Sequence, residues 1–199
     1  VSPTADDQPL DEAADRPKSA PDDRETEGPF DESEANAVRP YVDLGGVKIV
    51  PRPDLGLRLE VEEESQRVVA VALDYAGSTL QVQPFAAPRS SGLWHEIREQ
   101  IVEQIQRQGG AAESMEGPLG PEVRAEIPSP EGSRLARFIG VDGPRWFLRG
   151  VVSGQAVVNG EAAGQIEDLF RSIVVVRGTT PMPPRDLIPL HVPANAGTA

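Results

Sequence analysis

The chain has no cysteine, only two histidines, and aromatic residues at 5% of the total. Absence of cysteine excludes a disulfide framework, a thiolate nucleophile and a cysteine zinc site. A serine triad would have to use His95 or His191. His191 sits in a proline-rich tail, and His95 falls in the first turn of a helix beside Trp94; neither has supporting residues that can be named. There is no G-x-x-x-x-G-K-[ST] loop, no G-x-G-x-x-G turn and no G-x-S-x-G elbow. His95 and Glu99 share a helix face at a spacing of four, but a stable metal site wants a third ligand, and none stands out. No metal or cofactor is expected. Apolar runs all fall short of the roughly 18 residues a membrane helix needs, so no span is expected.

A basic excess is also missing. The net charge is −13, and residues 1–37 hold twelve acids against three bases. The remaining 162 residues carry 20 acids and 16 bases. Phosphate neutralisation needs a clear Lys/Arg excess, so nucleic acid is not an expected partner. Residues 1–37 have few large apolar side chains and mostly one sign of charge, a composition that predicts a disordered acidic arm. The arm could bind a basic partner, fold back on a basic part of the domain, or only solvate the chain.

What remains reads as one folded domain over residues 38–178 and a proline-rich extended segment over 179–199. Leu55, Leu57, Leu59 and Val61 alternate with charged residues, as in a half-buried strand. Val68 to Tyr75 is nearly all apolar, as in a strand covered on both faces. Ala76-Gly77 signals a turn, and Leu80 and Val82 continue the alternation. Gly45-Gly46 reads as a turn before Val47-Lys48-Ile49. Val123, Ala125 and Ile127 mark another strand. Two more flank Asp142-Gly143, a tight-hairpin signal that Pro144 weakens.

Helical spacing of Trp94, Ile97, Ile101 and Ile105 predicts one helix, with Ser90 or Ser91 as cap and Gly109 as stop. A second helix is expected from Gly160 to Arg171, capped by Asn159. Val174 to Val176 suggests a short last strand. Leu187, Ile188, Leu190 and Val192 suggest that the proline-rich end packs on the domain rather than hanging free; a proline-rich ligand for a partner is the alternative. Together these predict an α+β fold: a curved antiparallel sheet of about six to seven strands packed by two main helices.

The candidate site is basic. Arg134, Arg137, Arg145 and Arg149 lie on the predicted hairpin, interleaved with Phe138, Trp146 and Phe147. Arginine forks bind carboxylates and phosphates and stack on aromatic rings. Arg137, Arg145, Trp146 and Arg149 are therefore the expected binding residues, unless they are ordinary outward charges of an amphipathic strand.

Several stretches carry a family resemblance. They include Arg39-Pro40-Tyr41-Val42-Asp43, Pro51-Arg52-Pro53, Gly92-Leu93-Trp94-His95-Glu96-Ile97-Arg98, Asp142 through Gly150, and Met182-Pro183-Pro184-Arg185-Asp186-Leu187-Ile188-Pro189-Leu190. Over residues 39–192 the chain resembles an actinobacterial family defined only as a domain of unknown function, number 3710. The resemblance implies a bacterial cytosolic protein and no particular reaction. The order of elements is also similar to the PsbP-like fold, a curved antiparallel sheet with helices on both faces, whose members are often adaptors or assembly factors. The functional expectation is a non-enzymatic binding or adaptor domain in the cytoplasm with a protein partner. The alternative is a small-anion binder, or an enzyme, using the Arg/Trp hairpin.

Overall fold

The computed structural model describes residues 16–193; the more N-terminal part of the expected arm lies outside them. A seven-stranded antiparallel sheet forms the centre, in the order β4-β5-β6-β10-β9-β8-β7. Its strands are β4 (Gly56–Val61), β5 (Val68–Tyr75), β6 (Ser78–Ala86), β7 (Ala111–Gly117), β8 (Gly120–Ser129), β9 (Gly132–Asp142) and β10 (Trp146–Gly154). Helix α2 (Trp94–Arg107) covers part of one face and α3 (Gly160–Arg171) covers the other. The expected α+β class, with two main helices on an antiparallel sheet, is the one observed.

Alternation along the strands sorts side chains between the two faces. Leu80, Val82, Trp146, Leu148 and Ile139 meet Ile166, Leu169 and Phe170 on the α3 side. Val123, Ala125, Phe138 and Phe147 meet Trp94, Ile101 and Ile105 on the α2 side. Full burial of side chains this size contributes about 1.5–3 kcal/mol each.

Each helix is seated through a glycine. A Cβ at Gly140 would lie 2.7 Å from the Trp94 ring and 2.8 Å from Phe147. A Cβ at Gly150 would lie 2.8 Å from Ile139 and 3.1 Å from Phe170. The bare backbone at these points lets the Trp94 of α2 and the Phe170 of α3 approach the sheet closely. Ala76 and Gly77, at φ of 52° and 67°, make the tight β5–β6 turn that their sequence signals.

The Asp142-Gly143 signal is answered differently. Three residues, Gly143 to Arg145, separate β9 from β10, and none has positive φ. The Asp142 carboxylate is occupied elsewhere. It accepts from the backbone N–H groups of Leu93 (2.9 Å), Trp94 (3.4 Å) and Ser19 (2.9 Å). The first two donors open α2, which has no side-chain cap of its own, so Asp142 replaces the expected Ser90 or Ser91. Asn159 caps α3 as expected, accepting from Glu161 and Ala162.

Residues 16–37 depart from the expected disorder. They run along the domain as a strap containing α1 (Arg24–Glu27) and β1 (Phe30–Asp31). Strand β1 joins a small second sheet, in the order β1-β11-β3-β2, with β2 (Val42–Asp43), β3 (Val47–Ile49) and β11 (Val174–Val175). Averaged composition hides the few groups that anchor the strap. Lys18 Nζ donates to the carbonyls of Pro88 (2.7 Å) and Gly143 (2.6 Å). The Arg24 guanidinium lies 5.6 Å from the Trp146 ring centroid and grips both oxygens of Glu34. The Trp146 indole N–H donates to Asp31 Oδ1 at 2.9 Å.

The proline-rich end packs as expected. Beyond the reach of β5, it runs beside β6: Arg185 N–H donates to Ala86, Ala86 N–H to Asp186, and Ile188 N–H to Pro84. Leu190 bridges both Gly45 and Val68.

Two predictions follow from this packing. Gly140→Ala and Gly150→Ala should each lower stability by about 1–3 kcal/mol in urea unfolding, since each added methyl overpacks a helix seat. Burial opposes ionisation of Asp31, but hydrogen bonds from Ser33 and Trp146 and the nearby Arg24 outweigh it and hold the carboxyl below its usual pKa. Its stabilising contribution is complete above the unfolded-state value near pH 4 and is lost as pH falls through the lower folded-state value. Asp31→Asn should therefore cost stability at pH 7 and flatten the loss of stability below about pH 4.

Candidate binding face

The four expected site residues sit on a real hairpin but do not share one surface. Strand parity sends Arg137 and Trp146 to the α3 side and Arg149 to the α2 side, while Arg145 precedes β10 at the end of the sheet.

Arg137 is a structural ion. Its guanidinium hydrogen-bonds both oxygens of Glu122 and donates to Glu167 of α3. Arg137 and Glu122 are each 2% exposed. Burial acts against the Arg137 charge, but the Glu122 and Glu167 carboxylates prevail and raise its pKa above the usual value. Trp146 is fully buried and spends its N–H on Asp31. Neither residue is presented to a ligand, because Glu122 and Glu167 take the Arg137 fork and Asp31 of the strap takes the Trp146 N–H.

Arg149 is different. It takes part in no ion pair among the described residues. Its Nε is buried with no hydrogen-bond partner. Its guanidinium lies 5.7 Å from the Phe138 ring centroid. Burial alone pulls its pKa down, with no carboxylate to offset the effect. Buried charges are ordinarily paired, because desolvation without a counterion costs several kcal/mol.

The β6–β10 register shows where this charge stands. Phe85 faces Phe147, Gln83 faces Arg149, Gln81 faces Val151 and Thr79 faces Ser153. The Phe147 ring stacks with Trp94 of α2 and with Phe85. Two pairs further along, no helix covers the sheet, and a groove of about 420 Å³ has Glu60, Thr79, Gln81, Arg134, Val151 and Ser153 in its lining. Arg149 and Gln83 therefore mark the border between helix-covered core and uncovered sheet. Gln81 is held by Glu60 and Gln83 by the Val69 carbonyl, so the polar side chains here are positioned. Arg134, which enters no ion pair among the described residues, also lines the groove.

The groove itself was missed by sequence reasoning. Its signal was the polar face of β6, Thr79, Gln81 and Gln83, opposite Ser153 and Val151. Short polar alternation of this kind is common on solvated strands and singles out no site by itself. His95 and Glu99 do meet, at 3.3 Å. Among the described residues no cluster of three or more His, Asp or Glu forms a metal cage, and no helix is long and apolar enough to cross a membrane.

The paired and unpaired arginines should respond oppositely to truncation. Arg137→Met strands the buried Glu122 and should destabilise by about 3–5 kcal/mol. Arg149→Met keeps the aliphatic packing, removes a desolvated charge and should change stability by less than about 1 kcal/mol or raise it. Urea denaturation of both variants checks the contrast.

Comparison with known proteins adds a family and little about chemistry. No curated protein matches the chain. The solution structure of cyanobacterial PsbP (CyanoP) from Synechocystis sp. PCC 6803 is similar over 71% of this chain and 96% of that one, at 10% identity and a TM-score of 0.45. A likeness of that size carries no function across. A family described as "Protein of unknown function (DUF3710)" matches residues 28–199, a span that opens just before β1 and takes in both long helices and the proline-rich end. The chain belongs to that family.

Proposed function

We propose that the protein is a non-enzymatic binding domain that receives an acidic, extended segment of a partner protein across the uncovered face of its sheet. In keeping with the family resemblance, the reading places it in a bacterial cytoplasm. One observation carries the proposal: Arg149, its Nε buried without a hydrogen-bond partner, enters no ion pair among the described residues, and it lies one same-face position before the groove residue Val151. An incoming carboxylate would supply the missing partner, and a charge-assisted fork at that depth is among the stronger single contacts available to an interface. Arg134 adds a second cation on the same face. The groove is lined from β4, β6, β8, β9 and β10 and by the turn between β8 and β9, a strip across the strands that suits a chain segment. Buried arginine anchors surrounded by near-neutral contacts are the usual energetic pattern of protein interfaces.

A hexaglutamate peptide serves as the probe, titrated into the 15N-labelled protein and followed by backbone amide shifts. Saturable shifts are expected at Gln81, Gln83, Arg149 and Val151, weakening with salt. Arg149→Met should lower the affinity by about tenfold, the equivalent of one lost charge-assisted contact of 1.4 kcal/mol. A peptide that leaves these amides unmoved, or binds the variant equally well, would reject the reading.

A further inference from the structure

The two edges of the large sheet differ. Strand β4 carries a bulge between Glu60 and Val61, a device that turns an edge away from further pairing. Strand β7 has none. It pairs with β8 residue for residue from Ala111↔Glu126 to Gly117↔Gly120, and it contains neither proline nor lysine. The two-residue turn Pro118-Leu119 makes Gly117 and Gly120 a hydrogen-bonded pair, so Ala111, Glu113 and Met115 also commit their backbone groups to β8. Ala112, Ser114 and Glu116 point theirs outward, and among the described residues no other backbone group reaches them.

Each face of this edge has a distinct chemistry. On the α2 side, Arg98 donates to Ser114 Oγ (2.6 Å) and meets His95 Nδ1 at 3.0 Å. Arg98 enters no ion pair among the described residues, and its Nε is buried without a partner. On the α3 side, Ala111 and Glu113 line a groove of about 350 Å³ together with Val157 and Leu135, which is 48% exposed. The edge therefore suits a strand that brings a carboxylate to the Arg98 side and an apolar side chain to the groove side.

A second copy of β7 brings both. Two β7 strands paired antiparallel, with Ser114 facing Ser114, use every outward residue of each. This register sets Ala112 against Glu116 and Glu113 against Met115, so no glutamate directly faces another. Glu116 of the second copy falls diagonal to Ser114, within reach of the Arg98 fork. Met115 of the second copy falls beside Glu113 at the groove, where an unbranched thioether adapts to irregular space. Both contacts form twice about a two-fold axis, and the assembly closes. We propose that β7 is the interface of a homodimer, in which two copies join their sheets edge to edge about an axis at Ser114. The interface is separate from the Arg149 groove, which has no β7 residue in its lining.

Sedimentation velocity of the full chain over roughly 5–500 µM, where modest interfaces dissociate, should show a monomer–dimer equilibrium. Ser114→Pro removes an outward N–H that the β8 ladder does not use, and proline is tolerated on an edge strand. That variant should keep the circular dichroism spectrum of the wild type and stay monomeric. Should it fail to fold, Ser114→Lys keeps the N–H, sets two cations opposite each other across the axis, and should likewise give a monomer. The register has its own readout, because the chain has no cysteine. In Ser114→Cys the two thiols face each other with Cα atoms about 5.5 Å apart, a spacing that a disulfide spans. Mild oxidation should crosslink that dimer. Ala112→Cys, whose residue faces Glu116 rather than its own copy, should stay uncrosslinked. A chain that is monomeric throughout, a dimer that survives in the folded Ser114→Pro or Ser114→Lys variant, or equal crosslinking of the two cysteine variants overturns the proposal.

Discussion

One buried carboxylate ties together three segments that are far apart in the sequence. Asp142, at the end of β9, accepts from the first residues of α2 and from Ser19 of the N-terminal strap. Without it, α2 would start with unsatisfied N–H groups in the interior. Burial pushes the Asp142 pKa up, while the three backbone donors and the Lys18 charge pull it back. Lys18 does not touch the carboxylate; it bonds the Pro88 and Gly143 carbonyls on either side and clamps the junction. The position of α2 follows from this knot, and with it the line along which the sheet passes from covered to open.

The hairpin arginines show how little a residue type says without its surroundings. Arg137, Arg145 and Arg149 fall in one stretch of thirteen residues, on two adjacent strands and the turn between them. Parity gives Arg137 two carboxylates and a place in the core, while Arg149 finds an aromatic ring and no counterion. Arg145 falls just outside the pleat, in the turn before β10. The first is an element of stability; the other two enter no ion pair among the described residues.

Much of the architecture was legible because period-two and period-3.6 patterns report burial directly. The continuous apolar run of β5 and the stripe of α2 gave away their elements, as did the Asn159 cap of α3. Strand β7 was invisible: Ala111–Gly117 is an edge strand with little apolar content, and its ladder with β8 supplies what its side chains do not. The strap was misread because its acids dominate the composition while a handful of contacts from Lys18, Arg24 and Phe30 hold it in place. Asp142-Gly143 misled for a related reason, since a turn signal presumes that the aspartate is free to serve its own turn. The candidate groove was not legible because it is defined by where a helix stops, which depends on tertiary contacts alone.

The proline-rich end has a consequence for how the sheet meets other chains. Beyond the start of β5, β6 still offers backbone groups to pairing, and an open ladder of this kind invites a strand from another molecule. Pro84 already lacks a donor there, and its carbonyl is taken by Ile188. The segment that fills the gap carries Pro181, Pro183, Pro184 and Pro189, residues that cannot donate onward to a further strand. It therefore completes the sheet and blocks its extension at the same point, so the uncovered face of the sheet has no template for aggregation beside β6 here.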